Sequence, residues 1–311
     1  MASLCGNGMR KILLLGKSGQ LGWELQRTLM PLGQIITLDS SELNLAQPDA
    51  IRQILRQVQP SIVVNAAAYT AVDRAETEAE LAMAINGIAP GILAEEAKKL
   101  NALLLHYSTD YIFDGHKTGA YVEDDTPNPL NVYGKTKLAG EQAIRATGVN
   151  HFIFRTSWVY GARGKNFLLT MLRLAQERQK LSIVNDQIGA PTWCRSIAEI
   201  SAQVLAQLAA THDFSSVPKK RIEVEEVSGT YHLTAAGQVS WHGFAAAIMR
   251  LAAVQPAPTL ISIPSAAYPL PATRPLNSVL SNDKLQQVFN LSGGDWEANL
   301  KLCLAGLLEP K

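Results

Sequence analysis

The stretch NVYGKTKLAGEQ, residues 131–142, sets Tyr133 and Lys137 four positions apart. On a helix that spacing puts the two side chains on one face. A free tyrosine has a pKa of about 10 and is a poor acid–base group at neutral pH. A lysine cation nearby stabilises the phenolate and brings the phenolic proton within reach of a hydroxyl or ketone. Tyr-x-x-x-Lys also occurs on ordinary polar helix faces, so its meaning depends on what surrounds it. The segment HYSTDYIFDG, residues 106–115, closes an apolar run and sets Thr109 and Asp110 at the end of an expected strand. Thr109 can donate a hydrogen bond to the same substrate oxygen as the phenol, and all four residues could converge.

The elements that must position these groups are legible in the pattern of apolar residues. KILLL (11–15), IITL (35–38), SIVVNAA (61–67), ALLLHYS (102–108) and FIFRTS (152–157) read as short buried strands. Helical stretches are expected near 20–30, 48–58, 76–100 and 134–147, the third with Leu81, Ala84, Ile85, Ile88, Ile92, Leu93 and Ala97 on one helical repeat. This alternation predicts an α/β fold, a doubly wound parallel Rossmann sheet, over residues 9–160. Residues 161–311 are expected mainly as a smaller C-terminal substrate-binding cap, with later segments crossing back to the sheet. That half holds helices near 165–179 and 193–210, a polar linker at 211–229, a proline-rich stretch at 256–275 and a terminal helix from Asp295 to Leu308.

GKSGQLG follows the first strand directly and opens the first helix, spacing Gly16, Gly19 and Gly22 as GxxGxxG. In that context glycine permits a tight turn and close approach of backbone N–H groups to a pyrophosphate, and the helix N-terminus adds partial positive charge. Asp39 ends the second strand, about 20 residues on, where a carboxylate accepts hydrogen bonds from an adenosine ribose. NAAAYT (65–70) closes the third strand, and the small Ala67 and Ala68 let adenine and ribose lie against the backbone before Tyr69 and Thr70. The cofactor is therefore NADH or NADPH. Asp39 weighs slightly toward NADH by repelling a 2′-phosphate, while Ser40 and Ser41 soften that bias.

Composition narrows the partners. The chain has 311 residues and a formal charge of +1, which gives no electrostatic case for nucleic acid or an acidic membrane. Lys219, Lys220 and Arg221 are followed by Glu223, Glu225 and Glu226, a solvated loop rather than a nucleic-acid arm. Cys5, Cys194 and Cys303 are too few and too scattered for a disulfide framework or zinc site, which suits a reducing, cytoplasmic compartment. The N-terminus lacks a signal peptide's apolar segment and no 18-residue apolar run occurs, so no membrane span is expected. Met9 stands directly before the first strand, making residues 1–8 a candidate extension.

The glycine turn, Thr109 and Tyr133-x-x-x-Lys137 resemble the extended short-chain dehydrogenase/reductase superfamily. Seven strings in order, GKSGQLGWEL, NAAAYTAVDRAE, STDYIFDG, NVYGKTKLAGE, FRTSWVYG, NDQIGAPT and RPLNSVL, resemble the dTDP-4-dehydrorhamnose reductase family from about residue 10 to 308. That resemblance implies reduction of the 4-keto group of dTDP-4-dehydro-L-rhamnose, for surface polysaccharides. Tyr133 would be the proton donor, Thr109 the polarising group and Lys137 the ribose-orienting group. It further implies cofactor contacts from Gly19, Gln20, Leu21, Asp39, Asn44, Leu45, Ala68, Tyr69 and Thr70. Many relatives carry an acidic and an aromatic residue where Asn44 and Leu45 stand. Trp158 would pack against the sugar ring. Arg274 could pair with the substrate diphosphate or form a structural salt bridge. Asn166 and Gln187 are further pocket candidates. Some relatives hold magnesium between glutamates at a dimer interface; here Arg195 and Gly306 stand at two of the positions beside Glu24, so no metal is expected and the chain reads as a monomer or weak homodimer.

Three alternatives share the residues. A 4,6-dehydratase carries Asp-Glu after the threonine, where this chain has Asp110-Tyr111 and lacks that carboxylate. A 4-epimerase on the same fold holds and recycles its NAD. A non-catalytic NAD(P)-binding subunit, as in the regulatory subunit of methionine adenosyltransferase, resembles these reductases too.

Overall fold

The computed structural model describes residues 10–209 and 223–308. The candidate extension at 1–8, Cys5, the cluster Lys219–Arg221 and most of the expected 211–229 linker lie outside the described residues. Five strands fall where the apolar runs predict them: β1 Lys11–Leu15, β2 Gln34–Leu38, β3 Ile62–Asn65, β4 Leu103–Thr109 and β5 His151–Thr156. A sixth, β6 Gly229–His232, comes from the second half of the chain and pairs with β5. All pairings in this sheet are parallel and the order is β2-β1-β3-β4-β5-β6. The strand order reverses between β1 and β3, and ligands of open α/β sheets bind beyond the carboxyl ends of the strands at such a switch point.

Strand alternation sends side chains to two separate cores. Ile12, Leu14, Leu105, Phe152 and Phe154 pack on one face, against α1 (Gln20–Thr28) and the buried residues Ile197, Val204 and Leu205 of a later helix. Leu13, Val63, Leu104 and Ile153 pack on the other, with Ile51 and Leu55 of α2 (Pro48–Val58), Leu93 and Ala97 of α3 (Ala89–Lys99), and Ile144 of α4 (Val132–Thr147). Helix α4 begins where Asn131 accepts a hydrogen bond from Gly134 N at 2.8 Å and ends at Gly148, whose φ of 65° suits a left-handed cap.

A third core joins Leu168 and Met171 of α5 (Phe167–Glu177) and, past α6 (Cys194–Ala209), Phe244 and Ile248 of α7 (Trp241–Leu251). Leu300 and Leu304 of α8 (Trp296–Leu308) complete it. The chain crosses between the cores more than once, since α6 packs on the sheet and β6 joins it.

The expected 76–100 helix is not uniform. Residues Ala84–Ile88 form a π-helical turn between Ala79–Met83 and α3. The wider turn shifts the apolar face, so Leu81 and Ile88, expected to be buried, are 43% and 52% exposed.

Glu96 on α3 is buried, and Arg56 donates to it at 3.0 and 3.2 Å, with Lys99 at 2.7 Å. Arg56, and then Lys99, overcome desolvation and hold its carboxyl down at about 2, against 4.5 for a free one. A carboxylate with a depressed folded pKa contributes stability above its unfolded pKa and loses it as pH falls through the folded value. Between pH 4.5 and 2, urea midpoints of the wild type are expected to fall more steeply than those of Glu96→Gln. Parallel curves would contradict this.

Candidate active site

The glycine turn is built by close packing. Gly16 N and Lys17 N donate to Leu38 O at 2.8 and 3.2 Å, and Gly19 N donates to Gly16 O at 3.0 Å. Gly16 has a φ of +86°, and a Cβ there would lie 2.8 Å from Ala67 N, in the loop after β3. A Cβ on Gly22 would lie 2.0 Å from Gly16 O. No side chain caps α1 at Gly19, so its first-turn N–H groups have no side-chain acceptor and suit a pyrophosphate. Gly16, Asp39, Asn44, Leu45, Ala67 and Ala68 line one pocket beyond the ends of β1 and β2, with Ile85 from the π turn. Apolar walls beside one carboxylate fit an adenosine, so these residues fit a dinucleotide. Gly22→Ala is expected to lose about 1–3 kcal/mol of stability, the usual cost of overpacking. NADPH affinity should fall with it, read by urea denaturation and by fluorescence titration. An unchanged variant would mean that α1 can shift freely.

The acidic end of this pocket is ordered. Asp39 Oδ1 accepts from Ser41 N at 3.0 Å and from Ser41 Oγ at 2.7 Å, and these bonds lower its pKa. Lys17 pairs with Glu42 at 2.5 Å beside it. Asn44 Oδ1 accepts from Ala46 N at 2.9 Å, and Leu45 is buried in the wall. Leu21 packs on the core beneath the turn. Tyr69 turns its hydroxyl to Glu78 at 2.6 Å, while Thr70 is exposed. A residue not singled out from the sequence holds this loop. Asn86, in the π turn, accepts from Tyr69 N at 2.9 Å and donates to Tyr69 O at 3.0 Å. An asparagine in the apolar run AINGIAP was the available signal.

The residues expected to do acid–base chemistry lie at and beside the carboxyl end of β4. The Thr109 hydroxyl donates to Asp110 Oδ1 at 3.0 Å and accepts from Tyr111 N at 3.1 Å, and it stands beside the Tyr133 phenol, whose ionised form it favours. Tyr111 meets Tyr133 edge-on, with ring centroids 5.9 Å apart. Desolvation pushes the Tyr133 phenol up to about 12, against the lowering effect of Thr109. The protein's own groups thus keep it protonated, where the sequence alone suggests a phenol shifted downward by Lys137. Lys137 is buried, and its ammonium donates to Tyr107 O at 2.6 Å; desolvation lowers it to about 8.

The expected substrate-side residues diverge. Asp110 does not open into the crevice; it is buried, and desolvation raises it to about 7. Trp158, at φ +46°, stacks on Trp241 with centroids 3.5 Å apart. A Cβ on Gly189 would lie 2.5 Å from the Trp158 indole, so glycine there makes room for it. Arg274 is committed to Asp73 through two bonds of 2.8 and 2.7 Å and to Ala272 O at 2.6 Å, which is the salt-bridge alternative. Asn166 caps α5 and is saturated: it accepts from Leu169 N and donates to Gln20 Oε1 at 2.7 Å, Gly161 O and Arg163 O. It ties the second half of the chain to the phosphate turn rather than facing a ligand. Gln187 is 9% exposed before the short strand Ile188–Gly189. Arg195, at a position where some relatives carry a metal-binding glutamate, donates to Glu199 at 2.8 Å.

A parallel sheet with a glycine turn after β1 and a Thr–Tyr–Lys group beyond β4 defines a dinucleotide-binding oxidoreductase fold of the short-chain dehydrogenase type. The family described as RmlD substrate binding domain matches residues 9–308, and the chain belongs to it. A dTDP-4-dehydrorhamnose reductase of Burkholderia thailandensis is 48% identical over 304 residues, covering 96% of this chain and 99% of the relative. The crystal structure of a dTDP-4-dehydrorhamnose reductase from Clostridium acetobutylicum superposes with a TM-score of 0.86 at 34% identity, covering 96% and 99% of the two chains. The Bacillus anthracis enzyme, solved in complex with NADP, gives 0.86 at 32% identity with the same coverage.

Proposed function

We propose that this chain is an NAD(P)H-dependent reductase of the 4-keto group of dTDP-4-dehydro-L-rhamnose, yielding dTDP-L-rhamnose for polysaccharide biosynthesis. The observation that carries this reading is the Thr109–Tyr133 hydroxyl pair beyond β4, one helical turn from buried Lys137, on a chain of this family.

A reduced nicotinamide, when bound, supplies the hydride. The chain's own residues do the rest. Gly16, Gly19, Gln20, Leu21 and Gly22 hold the pyrophosphate at the start of α1, and Asp39, Ala67 and Ala68 hold the adenosine. The Tyr133 phenol, kept protonated by its burial, donates its proton to the ketone oxygen as negative charge develops there. Thr109 donates a second hydrogen bond to that oxygen, which requires its hydroxyl to turn away from Asp110. Lys137 orients the ribose and favours the phenolate that forms.

The chain works as a monomer or weak homodimer in the cytoplasm on this reading. Among the described residues no helix is long and apolar enough to cross a membrane. The deciding assay follows NADH and NADPH oxidation with dTDP-4-dehydro-L-rhamnose beside UDP- and GDP-linked 4-keto sugars. Oxidation of either cofactor with the dTDP sugar supports the reading. Binding of NAD(P)H without turnover of any of them would favour the non-catalytic alternative.

A further inference from the structure

Strand β4 buries a histidine in an apolar run. Leu104, His106 and Ser108 share the face that α4 covers, and Asn65 stands opposite His106 in the register with β3. His106 is 1% exposed. Its ring spans two partners: Nδ1 lies 3.1 Å from Asn65 Nδ2, and Nε2 lies 3.4 Å from Lys137 Nζ.

These contacts constrain one another. Ala67 N donates to Asn65 Oδ1 at 3.2 Å, and an amide N–H can only donate. Asn65 therefore presents its NH₂ group to the ring, and His106 Nδ1 must accept. A neutral imidazole has one acceptor nitrogen, so its proton sits on Nε2 and points at Lys137. A neutral amine accepts that proton while still donating to Tyr107 O. An ammonium has no lone pair and meets an N–H head-on. Relief would require the other tautomer, an inverted Asn65 amide and loss of the Ala67 bond. Ala67 lines the cofactor pocket.

We propose that His106 is a positioning residue for Lys137: held as the Nε2–H tautomer by Asn65, it couples the proton count of the lysine to the Ala67 loop of the cofactor pocket. The inference rests on the reductase reading for the role of Lys137. The other groups around the lysine are few. On α4, Tyr133 stands one turn before it and Glu141 one turn after, the latter engaged by Arg155 and Ser108. From β4 come the Tyr107 carbonyl and Thr109, and His151 on β5 acts on His106. Burial holds His106 neutral, with the Lys137 and His151 charges adding to the effect.

The test uses the full chain with ¹⁵N-labelled histidine. The His106 signals are identified by their loss in His106→Gln or, should that variant not fold, in His106→Asn. We expect a neutral ring protonated at Nε2 in the wild type. His106→Met removes the ring N–H that faces Lys137 and so relieves the ammonium, and the alkaline limb of log kcat/KM should move up by about one pH unit. An Nδ1–H tautomer, or an unmoved limb in folded His106→Met, overturns the coupling and leaves the reductase reading intact. Failure to reduce any nucleotide-sugar ketone overturns that reading instead, while an Nε2–H tautomer still supports the Asn65–His106 geometry.

Discussion

Tyr133→Phe is expected to lower kcat for ketone reduction by about 10²–10⁴-fold, the range general acid catalysis supplies. Phenylalanine preserves the ring that meets Tyr111 edge-on and removes only the hydroxyl beside Thr109. NADPH affinity should therefore stay close to that of the wild type, because the glycine turn and the Asp39 pocket lie on other elements. Desolvation holds the phenol near 12, so across pH 6–9 the wild-type phenol carries its proton and the loss in Tyr133→Phe should not depend on pH in that window. Steady-state kinetics with a NADPH titration check both halves. Near-normal turnover would remove Tyr133 from the proton transfer.

Arg155→Met is expected to cost about 3 kcal/mol of stability, the low end of the penalty for breaking a buried ion pair, because the carboxylate keeps a second cation. Arg155 is 2% exposed and Glu141 fully buried; the guanidinium donates to Glu141 at 3.0 and 2.8 Å and to Glu123 O at 3.1 Å. Removing it leaves the carboxylate with the Ser108 hydroxyl at 2.5 Å and Arg145 at 3.2 Å. Glu141 lies one turn beyond Lys137 on α4, so the loss falls on the helix that carries Tyr133 and Lys137. The double variant Arg155→Met/Glu141→Met removes both charges and should recover part of the loss, a coupling that urea denaturation of the four proteins measures. Additive losses would show that the pair contributes little net stability.

Much of the site was legible because its signals are local. The glycine turn needs only residues 16–22, from the end of one strand into the first turn of one helix, and the φ of Gly16 and the crowding at Gly22 show why side chains are excluded. The four-residue spacing of Tyr133 and Lys137 follows from helical geometry alone. Arg274 shows where such reasoning stops. Its type suits a diphosphate and a salt bridge equally, and its partner Asp73 lies 201 residues away. Asn166 is a similar case, since Gln20, which it holds, is 146 residues distant. Asn86 was missed because a π turn changes which side of a helix a residue faces, and periodicity assumes a uniform helix.

By itself, the sequence determined five of the six strands of the central sheet, the parallel winding, the glycine turn and the four-residue spacing of Tyr133 and Lys137, since each depends on the period or spacing of nearby residues. Only the tertiary structure decided which polar groups face a ligand and which are spent on one another. A buried hydrogen-bonding group must find a partner wherever packing brings one, and for Arg274, Asn166, Asp110 and His106 that partner came from the three-dimensional arrangement of the strands, loops and helices.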